Sequence, residues 1–418
     1  MRTATFDFLR CPYCGGRLEL VQSLFHRRDA DEIRDGIIAC QCCVFPVVDG
    51  IPVMHLLPAA TTARDQIEAG RPELARRTMF GLDDERQAAI FDDVAASEQA
   101  TYRETVEAFG PNFEGGYFLY RFSDPTFLVA QAVVQAVGSA VLGGRRAIDI
   151  CGGSGHLTRT LAGLSSEPPV LADLYFAKIW LARRFTAPRC EPVCCDGNAP
   201  MPFARGAFGL ATCTDAFMYI WTKRQFVSDM ERLVDDGGGT REAGAVVIGH
   251  THNQRTWSPS HGQPLAPEGY AALFEAAEPK LFAEHRLFSG LIEDDVLDLS
   301  QVHTKDSLDR DPALTIVGTR HPGVFVRHPV VRPARAIGEF RLNPLYFAEH
   351  VGSDVRLRLR FPDSDYEQEY AACRRYLPDE VSVSPALVEA LAAGRAAPAE
   401  LAELVRQRVV LDLPQRYY

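Results

Sequence analysis

Lysine is almost missing from this chain of 418 residues: only four of its 44 basic residues are lysine, and 55 acids leave a net charge of −11. Such a balance repels polyanions over the surface as a whole, which argues against nucleic acid as a partner while leaving room for a local basic patch. Long apolar runs are missing too. The longest, "FLVAQAVVQAVGSAVL" from Phe127 to Leu142, is too short for a bilayer span and carries two glutamines at helical spacing, so it reads as a packed helix. Nothing before the first cysteine resembles a leader or cleavage site, so the expected location is cytoplasmic and no membrane association is expected. There is no internal repeat. Finally, no lysine follows the glycine-rich turn in "AIDICGGSGHLTRTL", residues 147–161, and that absence excludes a G-x-x-x-x-G-K-[ST] phosphate loop.

Cysteine, by contrast, is plentiful, with eleven residues. In a reducing compartment these are thiols or metal ligands rather than a disulfide framework. "CPYC" and "CQCC" supply two C-x2-C pairs, Cys11 with Cys14 and Cys40 with Cys43, and four thiolates so spaced suit tetrahedral zinc. Cys42 is an extra thiol able to replace Cys43 as the fourth ligand. Residues 1–58 are short strands and turns with little apolar core, so the metal is expected to supply folding energy there. Cys190, Cys194 and Cys195 lie on and before a predicted strand with no accompanying His or carboxylate spacing, and read as buried core thiols.

Residues 59–142 read as a helical linker and lid. Their last helix starts at a Ser123 or Asp124 cap with Pro125 in the first turn, and stops at Gly143. Beyond it strands and helices alternate: strands 146–151, 169–174, 191–195, 208–214 and 244–250, then two more in "KLFAEHRLF" and "ALTIVGTR". This is the pattern of an α/β domain, residues 143–320, with a mostly parallel seven-stranded sheet covered on both faces. Residues 321–418, with the alternating "VRLRLRF" and an Ala-rich helical stretch 385–410, form a C-terminal α+β extension that caps the substrate or mediates a homodimer.

The glycine turn does not fit a dinucleotide: counted from Gly153, Thr158 falls where a third glycine lets the helix pack close to the strand. The ordered features that follow resemble class I S-adenosylmethionine-dependent methyltransferases over residues 143–320. Asp149, Gly153 and Gly155 match the first motif, with Cys151 in the place of its first glycine. Asp173, with Leu174, ends the next strand, where an acid accepts from both ribose hydroxyls. "CCDGNAPMPF" places Asp196 and Gly197 at the adenine, and "FGLATCTDAFMYI" places Asp215 and Phe217 near the reacting methyl. "ERLVDDGGG" before the fifth strand also fits. The resemblance implies a Rossmann-like fold, S-adenosylmethionine as cofactor, and Asp149 orienting its ammonium group.

With its ending "FPVVDGIPVM", the cysteine-rich unit resembles the zinc-ribbon activator subunit of tRNA, ribosomal RNA and release-factor methyltransferases. That resemblance implies a ribbon seated beside the methyltransferase domain, here within one chain, which raises its effective concentration. Six arginines against seven acids in residues 1–58 do not suit an RNA clamp.

Methyl transfer is an in-line displacement, and a base is needed where the nucleophile must lose a proton. "GHTHNQRTWSPSHGQPLAPEG" begins at the expected acceptor side and offers His250, His252, Asn253, Trp257 and His261. His252 is the candidate base and His250 its orienting partner. No residue at a fixed spacing completes a His-x-His metal site. Tyr117, Tyr120 and Arg121 are candidate lid residues. The expected function is methyl transfer to a small or medium-sized metabolite, with specialised biosynthesis as a candidate setting; the runner-up is an RNA or translation-protein methyltransferase with a built-in activator, and the third reading is a non-catalytic cofactor-binding or assembly module.

Overall fold

The computed structural model describes the whole chain except residues 23–24, 112, 114, 236–242, 259–261, 331–335 and 353. Its centre is a seven-stranded sheet. In chain order the strands are β1 (Ala147–Ile150), β2 (Val170–Asp173), β3 (Glu191–Cys194), β4 (Leu210–Thr214), β5 (Ala245–His252), β6 (Pro279–Ala283) and β7 (Ala313–Thr319). Their spatial order is β6-β7-β5-β4-β1-β2-β3, and β7 alone runs against the others. Strands β1 to β3 are buried at every residue, as expected for parallel strands covered on both faces.

The order reverses between β1 and β4, and in open α/β sheets ligands bind at the carboxyl ends of the strands at such a switch point. Helix α1 (Pro125–Val141) leads into β1. Its cap is Asp124, whose carboxylate accepts from the Phe127 amide at 2.6 Å, while the alternative cap, Ser123, bonds Asn343 of the extension at 2.8 Å. Helix α2 (His156–Leu161) follows the glycine turn, α3 (Phe176–Leu181) follows β2, and α4 (Lys223–Val234) precedes β5. The "DDGGG" part of the fifth-strand approach lies, from residue 236 on, outside the described residues.

Residues 58–108 form four helices. Phe80, Phe91 and Phe109 interlock with Phe176 and Trp180 from the α3 region at ring separations of 4.4 to 5.7 Å. Their charged outer faces hide this apolar layer in a composition reading.

The N-terminal unit extends the sheet. Val53 bridges Cys194 of β3 in parallel, the Met54 amide donates to the Cys194 carbonyl at 2.7 Å, and Leu9 bridges Phe203. Trp180 Nε1 donates to Asp49 at 2.7 Å, and Arg183 pairs with Glu32. Its apolar residues Ile33, Ile38, Phe45 and Val47 belong to the same hydrophobic cluster as Ile148, Ile150 and Val170 of the sheet. The unit thus borrows a core from the sheet that it lacks by itself.

"KLFAEHRLF" is not one strand. It is β6 up to Ala283 and then helix α5 (Glu284–Glu293). The Ala-rich stretch is likewise two helices, Pro385–Ala392 and Pro398–Arg406, followed by a strand Val410–Leu413 that pairs with Glu339–Leu342. The extension has a hydrophobic cluster of its own around Leu345, Leu357, Leu401 and Val409. No helix among the described residues is long and apolar enough to cross a membrane.

Candidate functional site

At the switch point lies a cavity of about 480 Å³, within the range of small-molecule sites. Asp149, Gly153, Asp173, Leu174, Asp196, Gly197 and Asp215 all line it, brought together from the ends of β1, β2, β3 and β4. Gly155 sits behind them as the left-handed cap of α2 (φ +75°), where a Cβ would lie 2.7 Å from the Cβ of Ala182. Cys151, also at the turn, is in the left-handed conformation (φ +58°), a state costing an L-residue about 1–2 kcal/mol.

Each acid is held. Asp173 accepts the Gly153 amide at 2.9 Å on one oxygen and the Tyr175 amide at 2.8 Å on the other, leaving lone pairs on both. Burial raises its pKa, and these amides pull against the rise. Asp149 accepts the Thr158 hydroxyl at 2.6 Å, so the residue that spoils a dinucleotide motif supports the acid. Burial, with Asp173 adding to it, pushes the Asp149 carboxyl up to about 7. Asp196 accepts the Asn198 amide at 2.8 Å, and Asn198 Oδ1 accepts that of Trp221 at 2.7 Å. The Thr214 hydroxyl on the cavity wall is buried without a hydrogen-bond partner among the described residues.

A short helix borders the cavity. Tyr117, Phe118 and Arg121 of the short helix Gly116–Ser123 line it, whereas Tyr120 faces the extension and meets Tyr366 edge-on at 5.4 Å. Arg121 Nη2 pairs with Asp215 at 3.0 Å and Nη1 with Asp124 at 3.3 Å. Phe217 does not reach the cavity: it is fully buried against Phe226 and Tyr270, and Ala216, Tyr219 and Trp221 stand in its place. Tyr175 and Lys178 were not legible as site residues, for they carry no motif; Lys178 Nζ rests over the Tyr175 ring at 4.5 Å.

His250 and His252 lie at the end of β5, with ring centroids 5.7 Å apart, and each has a nitrogen within 4.8 Å of the other's and of an Asp215 oxygen. The third member that sequence spacing does not supply therefore comes from the neighbouring strand. A further residue was missed: Glu284, at the start of α5, accepts the His250 amide at 2.8 Å and lies 2.7 Å from its Nδ1. Burial disfavours charge on His250, but the Glu284 carboxylate outweighs it and lifts the pKa to about 9. Burial, then the charge on His250, lowers that of His252. Asn253 is buried and spent on backbone carbonyls, Trp257 is exposed, and His261 lies outside the described residues.

In the N-terminal unit the four thiols that come together are Cys11, Cys14, Cys40 and Cys42, mutually within 4.8 Å. Sequence pairing points to Cys43 as the fourth ligand; the structure brings in Cys42, with Cys43 Sγ beside it at 3.3 Å. Sulfur separations of 3.8, 3.7 and 3.5 Å (Cys11 to Cys42, Cys14 to Cys40, Cys40 to Cys42) match the edge of about 3.8 Å expected for a tetrahedron with Zn–S bonds of about 2.3 Å. The donor set fits zinc. Cys190, Cys194 and Cys195 are buried free thiols.

Neither a family profile nor a curated protein matches the sequence. Solved methyltransferase structures are similar to it. Geranyl diphosphate C-methyltransferase of Streptomyces coelicolor, bound to S-adenosyl-L-homocysteine, shares 15% identity over 46% of this chain and 74% of its own, with a TM-score of 0.33. A chain of the complex between the Haloferax volcanii Trm112 methyltransferase activator and the protein named as its methyltransferase shares 15% over 45% and 88%, TM-score 0.33. Phosphoethanolamine N-methyltransferase 2 of Haemonchus contortus shares 16% over 55% and 59%, TM-score 0.32.

Proposed function

We propose that the protein transfers a methyl group from S-adenosylmethionine to a small or medium-sized metabolite. One observation carries this reading: acids end three adjacent parallel strands, β1 to β3, around a single cavity at the switch point. Such a site suits a ligand offering an ammonium, two sugar hydroxyls and an adenine amine, and repels a pyrophosphate.

In this reading Asp173 accepts the ribose hydroxyls, Asp196 with the Gly197 backbone meets the adenine, Asp149 faces the ammonium, and Gly153 lets the chain pass close. The cofactor supplies an electrophilic methyl on a sulfonium. Asp215 lines the acceptor side with His250 and His252 beside it, and there His252 receives a proton and His250, anchored by Glu284, orients it. The lid helix excludes water, and the extension braces that helix: Asn343 holds Ser123, Tyr376 donates to the Ser123 carbonyl, and Arg408 donates to that of Phe122 at 2.6 Å. A concave site of about 480 Å³ is the reason for preferring a metabolite to a macromolecule.

Calorimetric titration with S-adenosylhomocysteine tests the reading. Micromolar affinity that weakens in Asp173→Ala supports it; no binding to the folded wild-type protein ends it.

A further inference from the structure

We propose that Asp215, His250 and His252 form a second metal centre, distinct from the cysteine site, for a divalent transition-metal ion at the acceptor edge of the cavity. One carboxylate oxygen and two imidazole nitrogens, each partly exposed, lie mutually within 4.8 Å. Two imidazoles and a carboxylate with open positions are a donor set for zinc, cobalt, manganese or ferrous iron.

The backbone is bent to make this juxtaposition. Asp215 and His250 are both non-glycine residues in the left-handed region, at φ +58° and +44°. The Asp215 amide donates to the Gly249 carbonyl at 3.0 Å, which ties the two bends together, and the β5–β7 register shifts between Ile248 and Thr251. Strain of this kind persists where the surroundings enforce it and gathers at functional sites.

His250 is also set up as a ligand. Glu284 sits at its Nδ1, which leaves Nε2 as the ligating atom, and the Thr315 hydroxyl donates to Glu284 at 2.8 Å. Carboxylates behind ligating histidines fix their tautomer and orientation in this way. Charge argues in the same direction. Asp124 and Asp215 share one guanidinium, Arg121, and Glu284 is paired with His250; with both imidazoles neutral, as ligation requires, these three carboxylates stand against a single cation, and a divalent ion restores the balance.

The role of such an ion in catalysis rests on the methyl-transfer reading; its binding does not. Asp215 lines the cavity, so an acceptor with a hydroxyl, carboxylate or phosphate oxygen would meet the ion there. A hydroxyl so polarised gives its proton to solvent, its oxygen pair forms the bond to the methyl carbon, and the carbon–sulfur pair returns to sulfur. His252 then ligates instead of taking the proton.

The test uses the full chain with its cysteine site already loaded with zinc, titrated with Mn²⁺ and followed by electron paramagnetic resonance, with Zn²⁺ and Co²⁺ by equilibrium dialysis. One further equivalent per chain is expected. Asp215→Asn and His252→Gln should abolish it, and Glu284→Gln should weaken it about ten-fold, with unchanged circular dichroism and the cysteine-bound zinc retained. No second equivalent of any of the three ions overturns the proposal, as does a second equivalent that survives both ligand variants. S-adenosylhomocysteine titration of the same samples separates the two readings: affinity without a second ion sinks only the metal centre, and a second ion without that affinity sinks only the methyl-transfer reading.

Discussion

The Tyr417 hydroxyl lies 2.6 Å from His156 Nε2 and donates to the Phe118 carbonyl at 2.7 Å, so a residue of the C-terminal segment joins the first residue of α2 to the lid. Tyr417 is 1% exposed and stacks on Tyr102 at 4.7 Å. Burial, reinforced by the charge of Arg121, lowers the His156 pKa to about 3, so the imidazole is neutral, and this hydroxyl is the partner of its Nε2. Tyr417→Phe strips that partner and should cost about 1–3 kcal/mol, the price of an unsatisfied buried group. Urea unfolding checks it; a change below about 0.5 kcal/mol would show that the bond contributes little.

Asp173→Ala should weaken S-adenosylhomocysteine binding by about 1–3 kcal/mol, because hydrogen bonds to a charged acceptor are lost. Asp173 also holds the Gly153 amide, so part of the loss is a looser turn. Asp173→Asn keeps one amide-accepting oxygen and should fall between wild type and alanine in calorimetry.

Cofactor binding should release a proton near neutrality. In the free protein the Asp149 pKa stands at about 7, above the ordinary carboxylate range, so its ionisation destabilises the fold. That contribution to stability is therefore lost as pH rises from about 4 to about 7 and is constant above. A bound ammonium favours the ionised form, so S-adenosylmethionine affinity should climb with pH to about 7 and level off. Titrations in buffers of different ionisation enthalpy measure the released proton, and Asp149→Asn should abolish it. Equal affinity at pH 5.5 and 8 would remove Asp149 from the ammonium.

Cys42→Ser should lower the cysteine-bound zinc, while Cys43→Ser should leave it in place, since Cys42 completes the group of four. Chelation should also lower the melting temperature of the whole protein, because the cysteine unit and the sheet share one hydrophobic cluster. Zinc retained in Cys42→Ser and lost in Cys43→Ser would reverse the ligand assignment.

The sheet and its row of acids were legible because strands buried on both faces read as short apolar runs, each closed by a polar residue: Asp149, Asp173, Asp196 and Asp215 stand out against such runs. What sequence could not supply was lateral register. Asp215 meets His250 only because Thr214 pairs with Gly249 across β4 and β5. Glu284 was hidden inside a segment that reads as one strand but breaks at Ala283 into a helix. Cys42 and Cys43 are neighbours in the chain, and spacing cannot say which sulfur joins the other three. The helices of residues 58–108 read as a polar linker because their apolar positions, Phe80 and Phe91 among them, are outnumbered by charges on the outer faces.

The bridge between Val53 and Cys194 has a consequence for proteostasis. An uncovered outer strand in a sheet is a template on which other polypeptides polymerise. Here the cysteine unit works as a hem along β3, fastened on one side by backbone pairing and on the other by its thiolate knot. Stripped of its metal, the protein is therefore expected to aggregate rather than persist as a soluble apo form, which light scattering after chelation checks.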